Sequence, residues 1–360
     1  MTGGNGDGRT MFELVYALPD QLLASDGLEG LLTIQPAAQR YRHIILCGMG
    51  GSAIAGDLVQ PLLQDGSVGL HVWRDYGLPH WAGPDDLVIC SSYSGDTEET
   101  LSGTTEAARR GCARLAITSG GRLARLAQGE GFPVVILPGG LPPRASLGWG
   151  LGAVVRILGR LGLVPAADEL IAGAAATLST MRSARLAPLE IEGGSSATVP
   201  ADPEGNPAAA DLAGHLVGKV PVIYTAGREA HAAGIRLKAQ LNENSKVPAL
   251  LASFPELNHN DLVGWDLASG DRGQFVLLIL RGISENIRVD RRVELTTELL
   301  ADEFPEIHEI KATAADPLGR IMSLVQYGDF LSCHLARLRG VDPVPVERIG
   351  RLKKALGQPE

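Results

Sequence analysis

The chain is short of aromatic residues, basic runs and long apolar stretches, and each shortage argues against a class of protein. Phe, Trp and Tyr make up 4% of its 360 residues, so a surface built for stacking bases is not expected. The net charge is −9, which argues against nucleic acid or an anionic membrane as a partner. No stretch of 18 apolar residues occurs, and a transmembrane helix is therefore not expected.

Cysteine and histidine are also sparse, and neither forms a recognisable motif. The four cysteines lack a CxxC pair and fit a reducing compartment: Cys47, Cys90, Cys112 and Cys333. The N-terminal segment MTGGNGDGRT lacks the layout of a secretory signal, so we expect a cytoplasmic protein. Five of the histidines show no ligand spacing, so we expect no metal: His215, His231, His259, His308 and His334.

Apolar runs alternate with helical patterns along most of the chain, and the rhythm occurs twice. Alternating strands and helices indicate parallel βαβ units with helices on both faces of the sheet. We therefore predict an α/β protein with two doubly wound parallel-sheet subdomains, a helical lead-in and a C-terminal tail helix. The predicted boundaries are a tail and lead-in helix over 1–40, a first subdomain over 41–165, a helix and Gly/Pro/Ser-rich linker over 166–206, a second subdomain over 207–340 and the tail helix over 341–360.

Two loops in the first hundred residues carry most of the functional signal. GMGGS (48–52) and SSYSGDT (91–97) each follow an apolar run and precede a predicted helix. A loop between a strand and a helix presents backbone N–H groups at the helix N-terminus, where an anion binds readily. Hydroxyl side chains add donors, so we predict that one phosphate is held by residues of both loops: Gly51, Ser52, Ser92, Ser94 and Thr97.

A dinucleotide site is the main alternative for the first loop. Gly48, Gly50 and Ala53 fit the relaxed G-x-G-x-x-[GA] pattern, and Asp75 would serve as the ribose-binding acid. The hydroxyl cluster of the second loop is not needed by a dinucleotide, whereas a phosphomonoester uses it. Ser94 or Asp96 capping the following helix would explain part of that run. We therefore favour a phosphosugar and predict no cofactor.

These motifs resemble a known family. GMGGSAIAGD (48–57), SSYSGDTEET (91–100), PPRASLG (142–148), LNENSKVPA (241–249) and FPELNHNDLVGW (254–265) are similar to segments of the bifunctional phosphoglucose/phosphomannose isomerases, which are built from SIS (sugar isomerase) domains. The resemblance runs from about residue 40 to the tail. It implies a metal-independent enzyme that interconverts glucose 6-phosphate or mannose 6-phosphate with fructose 6-phosphate through a cis-enediolate.

The resemblance also implies roles for four residues, each of which has an ordinary structural explanation as well. Glu243 matches the catalytic glutamate, although a lone Glu is usually a surface residue. His259 matches the ring-opening histidine, which reaches the site from the other subunit of a homodimer; the alternative is a histidine that bonds within its own turn. Arg144 matches the active-site arginine, or else it pairs with a surface carboxylate. Lys353 matches the C-terminal lysine, with Lys354 as an alternative.

Two further functions stay open on the sequence. SIS domains also serve as non-catalytic sugar-phosphate sensors, although no separate effector segment is evident. An isomerase of a pentose or aminosugar phosphate would use the same residues. The sequence does not indicate whether glucose or mannose 6-phosphate is preferred.

Overall fold

The computed structural model describes residues 9–34, 41–63, 68–182, 186, 202, 204–266, 271–283 and 286–356. Most of the predicted polar tail and of the predicted linker lies outside these residues. Within them, the strands are β1 (His43–Cys47), β2 (Gly69–Trp73), β3 (Leu87–Ser91), β4 (Ala113–Thr118), β5 (Val134–Ile136), β6 (Val220–Ala226), β7 (Leu250–Ser253), β8 (Phe275–Arg281) and β9 (Ile307–Lys311).

The helices of the described residues lie before, between and after these strands. They are α1 (Met11–Tyr16), α2 (Leu18–Ala24), α3 (Gly50–Val59), α4 (Glu98–Arg109), α5 (Gly121–Glu130), α6 (Leu147–Arg160), α7 (Ala167–Met181), α8 (Ala209–His215), α9 (Arg228–Gln240), α10 (Ile287–Leu299), α11 (Pro317–Leu338) and α12 (Glu347–Leu356).

The strands form two parallel sheets, which confirms the predicted fold class. The strand order is β2-β1-β3-β4-β5 in the first sheet and β7-β6-β8-β9 in the second. In both orders the first strand of the sheet lies between its second and third, so β1 and β6 occupy equivalent positions. The order reverses beside β1 and beside β6, and open α/β sheets bind ligands at such switch points.

The central strands are buried because helices cover both faces of each sheet. β3 (LVICS) is buried at every residue and β1 at all but His43, and β-branched Ile and Val fit such strands. β1 pairs in register with β3, so Cys47 lies opposite Cys90 and the loops after the two strands begin side by side.

Helices join the two sheets into one body with a shared core. α3 packs against α6 and α9, and the long helix α11 packs against α7, α8 and α9. One apolar cluster includes residues of both sheets, such as Leu46 and Leu278. The strands of the first sheet fall between residues 43 and 136 and those of the second between 220 and 311. The exact subdomain boundaries stay a prediction.

Candidate active site

The two hydroxyl-rich loops meet at the carboxyl ends of β1 and β3, which we name the first switch point. Gly48 follows β1, and a Cβ on it would lie 2.8 Å from the carbonyl oxygen of Ser91, so this close approach requires glycine. Gly50 has φ +47°, a left-handed conformation that also favours glycine. The glycines of the first loop therefore let α3 begin directly beside the second loop.

Ser52 ties the first loop to the second. Its Oγ accepts a hydrogen bond from the backbone N–H of Tyr93 at 3.0 Å. In return, Oγ of Ser91 donates to the carbonyl oxygen of Ser52 at 3.1 Å. α3 has no side-chain cap on its first N–H groups, which suits a helix end that accepts an anion.

The three residues of the second loop that are predicted to bind phosphate differ in exposure. Ser92 is fully buried; its Oγ donates to Oγ1 of Thr97 at 2.8 Å and accepts from the N–H of Gly95 at 3.1 Å. Ser94 is exposed, and Thr97, which precedes α4, is partly exposed. Ser92 therefore shapes the loop from within, whereas Ser94 and Thr97 are accessible. That all three contact a phosphate stays a prediction.

Gly51 brings the first switch point against the segment that carries Arg144. A Cβ on Gly51 would lie 3.1 Å from the carbonyl oxygen of Pro143 and 3.3 Å from the backbone nitrogen of Arg144. The absent side chain thus allows the start of α3 to touch the turn Pro143–Ser146. Arg144 is consequently adjacent to the predicted phosphate loop.

The structure brings Arg144 and Glu243 together although 98 residues separate them in the sequence. Nη1 of Arg144 lies 3.4 Å from Oε2 of Glu243. The Arg144 side chain is 5% exposed and that of Glu243 29%, so the carboxylate remains open to a small ligand while the guanidinium is enclosed. Burial lowers the pKa of Arg144, and the charge of Glu243 opposes that shift.

Arg144 is held in place by three further contacts. Its Nε donates to Oδ1 of Asn244 at 2.7 Å, and its Nη2 donates to the carbonyl oxygens of Pro343 and Val344 at 2.6 and 2.9 Å. A guanidinium fixed by several acceptors has little freedom to rotate. Arg144 is therefore an enclosed side chain whose carboxylate partner, Glu243, is partly exposed, and its role toward substrate stays a prediction.

Glu243 lies in a π-helical turn, Leu241–Ser245, that continues α9. Turns of this kind are frequent at functional sites. The two residues after Glu243 anchor the turn: Nδ2 of Asn244 donates to Oγ of Ser332 at 3.0 Å, and Oγ of Ser245 donates to the carbonyl oxygen of Ser332 at 2.7 Å. The turn thus leaves Glu243 partly exposed while Asn244 and Ser245 are fully buried.

A buried ion pair between α9 and α11 helps to hold Arg144 and Glu243 in these positions. Arg236 on α9 contacts Asp329 on α11 through two hydrogen bonds of 2.8 and 2.7 Å. Nη2 of Arg236 also donates to the carbonyl oxygen of Arg144 at 2.9 Å, and Gln240 donates to Asp329 at 2.9 Å. Sequence reasoning missed these residues, because their partners are about 90 residues away.

Lys246 was also missed, although it belongs to the quoted LNENSKVPA segment. It has a left-handed backbone with φ +57°, and its Nζ contacts the carbonyl oxygen of Glu243 and donates to that of Pro345 at 2.8 Å. Burial lowers the pKa of Lys246, and the charge of Arg144 lowers it further. Lys246 therefore fastens the Glu243 turn to the segment that leads into α12.

The structure does not join His259 and Lys353 to this cluster. His259 is exposed at the end of a short 3-10 helix, Glu256–His259, and no hydrogen bond holds its ring within the described chain. Lys353 and Lys354 are exposed on α12, which has no buried residue. Their predicted roles are untested by these positions.

The carboxyl ends of β6 and β8 form a second switch point with a different lining. Glu229, in the first turn of α9, is 9% exposed and receives hydrogen bonds from Arg320, the shortest at 2.9 Å. The N–H of Ile283 lies 3.4 Å from the same carboxylate. A cleft of about 1270 Å³ lies here, lined by Glu229, Arg320 and residues of α3 such as Asp57, and it includes neither Arg144 nor Glu243.

Comparison with solved structures identifies the class of fold. The structure resembles that of a hypothetical protein from Thermus thermophilus with a TM-score of 0.72 and 19% sequence identity, over 97% of this chain and 91% of the other. Residues 205–356 match the model of the bacterial phospho-glucose isomerase C-terminal SIS domain. The class is therefore that of SIS-domain proteins, as the paired parallel sheets suggest.

Among the described helices, none combines the length and the hydrophobicity that a membrane-spanning segment requires.

Two curated relatives narrow this class. The bifunctional phosphoglucose/phosphomannose isomerase of Caldicellulosiruptor bescii is 34% identical over 97% of this chain and 99% of the relative. The enzyme of the same name from Aquifex aeolicus is 36% identical over 88% of this chain and 91% of the relative. The chain belongs to the bifunctional phosphoglucose/phosphomannose isomerase family, which confirms the resemblance drawn from its motifs.

Proposed function

We propose that the protein catalyses the reversible isomerisation of glucose 6-phosphate and mannose 6-phosphate to fructose 6-phosphate without a metal. Family membership supports the reaction class. The observation that carries the proposal is the contact of Arg144 with Glu243 beside Gly51, because it joins a cation and a base to a loop suited to phosphate.

Phosphate binding comes first in this proposal. Backbone N–H groups at the start of α3 and the accessible hydroxyls of Ser52, Ser94 and Thr97 hold the 6-phosphate, while Gly51 and Ser92 shape the two loops. The net charge of −9 repels an anion at long range, so these local donors supply the affinity. Anchoring C6 leaves the aldehyde end of the open-chain sugar toward Glu243.

Ring opening and proton transfer between C1 and C2 follow. His259, aided by Lys353, opens the ring by proton transfer between the ring oxygen and the C1 hydroxyl. Glu243 removes the proton from C2 of the aldose and delivers it to C1, and the proton of the C2 hydroxyl passes to the C1 oxygen, so that the aldehyde becomes an alcohol and C2 becomes the ketone. Arg144 stabilises the negative charge on the enediolate oxygens because its guanidinium is fixed beside the carboxylate.

One site serves both sugars in this scheme. The enediolate is planar at C2, so in the reverse direction a proton delivered to one face gives the glucose configuration and to the other the mannose configuration. The partly exposed side chain of Glu243 leaves room for both presentations. We place no residue that sets the preference.

We further propose a homodimer in which His259 acts in the partner's site. The His259 ring is exposed and makes no hydrogen bond to the described residues, which supports this, because the ring is available to a second subunit. α12 adds support: Ile349, Leu352 and Leu356 are 44%, 61% and 61% exposed, an apolar face that a second subunit would cover.

Glu243→Gln tests the base directly. Protein treated with chelator is assayed for fructose 6-phosphate formation from each aldose. We expect kcat to fall by about 10²- to 10⁴-fold on both sugars, with substrate binding retained, because the amide cannot accept the C2 proton. Glu298→Gln, at an exposed site on α10, is the matched control and should leave kcat unchanged. Wild-type binding without turnover would favour the non-catalytic sensor, and full activity of Glu243→Gln would refute the assignment.

Mixing two inactive variants tests the dimer. Glu243→Gln and His259→Ala subunits are each inactive alone, but a mixed dimer contains one site with Glu243 of one chain and His259 of the other. Activity should recover to about a quarter of the wild-type value after random reassortment. If both residues act within one chain, every site carries a defect and no activity returns.

A further inference from the structure

A cluster of potential metal ligands lies at the amino-terminal end of the second sheet. His215 ends α8, Glu306 directly precedes β9, and His308 is the second residue of β9. One ligand atom from each residue lies within 4.8 Å of the others. The sequence shows no ligand spacing here, because Glu306 follows His215 by 91 positions and only the fold joins them.

The contacts within the cluster are close and converge on one oxygen. Nδ1 of His215 lies 2.8 Å from Oε2 of Glu306, and Nε2 of His308 lies 3.9 Å from the same oxygen. The ring centroids of the two histidines are 4.9 Å apart. Zn²⁺ binds at about 2.0–2.1 Å from such atoms, so tetrahedral ligands stand about 3.4 Å apart. Side-chain movements of about 1 Å would complete that geometry.

His308 supplies an independent reason to expect a ligand. Its Nε2 is buried and makes no hydrogen bond to the described residues, because the carboxylate at 3.9 Å is too distant. Buried polar atoms are normally paired, and one that is not calls for an explanation. A metal ion bound by Nε2 of His308 and the carboxylate of Glu306 would give this nitrogen a partner.

The exposure of the three side chains and the negative charge of Glu306 also suit a bound metal ion. The side chains of His215, Glu306 and His308 are 51%, 28% and 22% exposed, so an ion can enter from solvent and keep water in its open positions. Lys219 contacts Oε1 of Glu306, the oxygen that the histidines do not approach. It orients the carboxylate, but its positive charge opposes a bound cation.

We propose that His215, Glu306 and His308 form a site for a divalent transition metal ion of the Zn²⁺ class. Two imidazoles and one carboxylate are the ligand set that such ions prefer. The ion would fasten the end of α8 to β9, the edge strand of the second sheet. β7, which follows the Glu243 turn, is the opposite edge, so the site is separate from the isomerase chemistry.

Metal titration tests the site. Full-length protein is stripped with chelator, dialysed and titrated with ZnCl₂ by calorimetry and with CoCl₂ by visible absorption. We expect one ion per chain and a tetrahedral Co²⁺ spectrum. His308→Gln and Glu306→Gln should each weaken binding at least tenfold, because even a change to an outer-shell partner of a metal ligand costs about 10- to 100-fold. His80→Gln, an exposed histidine of the first subdomain, should bind as the wild type does.

Two further readouts separate a built site from casual binding. Lys219→Met should tighten Zn²⁺ binding several-fold, because it removes a positive charge beside Glu306. Zn²⁺ at about a hundredfold its Kd should raise Tm by about 3 °C in the wild type but not in His308→Gln. Absence of binding, or equal binding by the wild type and the Glu306 and His308 variants, would overturn the proposal. Isomerase activity should be the same with and without metal, so this result does not depend on the proposed function.

Discussion

The two switch points of this protein share a backbone plan but differ in what faces the start of the helix. In the first, Gly51 stands in the first turn of α3, and the neighbouring loop offers hydroxyl groups. In the second, Glu229 stands at the same place in the first turn of α9, and its carboxylate is paired with Arg320. Gly48 and Gly227 each directly follow the first strand of their sheet; Gly48 approaches Ser91, the last residue of β3, and Gly227 approaches Ile283, which follows β8.

Because of this difference, we assign the phosphate to the first switch point only. A helix N-terminus stabilises a negative charge whether a ligand or a side chain provides it. At the second switch point Glu229 already provides that charge, so a phosphate there would meet a carboxylate. At the first, residues 48–52 contain no carboxylate, and Asp96 of the second loop is paired with Arg122, so the start of α3 stays suited to an incoming anion.

Ser52→Asp would place a carboxylate at the first switch point, as Glu229 does at the second. Of the changes that compare the two switch points, it should have the largest effect, a fall in kcat/KM. The new carboxylate would lie beside the proposed phosphate, and two like charges about 4 Å apart cost about 4 kcal/mol at an effective dielectric constant of about 20. We expect kcat/KM for both aldoses to fall at least a hundredfold, mostly through KM, in steady-state assays.

Ser52→Ala is the matched control for that change. It removes the hydrogen bond to Tyr93 without adding charge, so kcat/KM should fall by only about tenfold. Equal losses in the two variants would show that charge at this position is unimportant, and the contrast between the two switch points would then fail.

Glu229→Gln tests the second switch point and should act on stability. The amide leaves Arg320 without its charged partner in a mostly buried position, so the free energy of unfolding should fall by about 2 kcal/mol in urea denaturation. Asp211→Asn, an exposed acid in the first turn of α8, should change it by less than about 0.5 kcal/mol. KM should be unchanged in both. A raised KM in Glu229→Gln would place substrate at the second switch point.

Ser92→Ala and Ser94→Ala separate the roles within the second loop and have the smallest expected effects. Ser92 is buried with two hydrogen bonds, so its loss should lower the free energy of unfolding by about 1 kcal/mol. Ser94 is exposed, so its loss should leave stability unchanged and raise KM about threefold to tenfold. If Ser94→Ala lowered the free energy of unfolding and Ser92→Ala raised KM, the roles of the two residues would be reversed.

Much of the fold was predictable because its signals are local. Apolar runs followed by helical patterns identify βαβ units, and the described strands and helices alternate in that order. The loops at 48–52 and 91–97 were found by composition and position. Their convergence followed from the rule that parallel strands end at one edge of a sheet.

Other parts of the candidate site were hidden by distance along the chain. Arg144 was expected to meet either substrate or a surface acid, but its hydrogen bond to Asn244 spans 100 residues. The ion pair of Arg236 with Asp329 and the anchoring of Lys246 similarly depend on how α9, α11 and the tail pack. No local pattern encodes such contacts.

Short runs of residues and their order along the chain were enough to define the class of fold, the predicted phosphate loops and the family. Three outcomes required the folded chain: that Arg320 pairs with Glu229 at the start of α9, which residues hold Arg144 beside Glu243, and that two histidines distant in sequence lie beside one carboxylate. Those outcomes depend on packing between elements remote in sequence, where a contact is set by the fold as a whole.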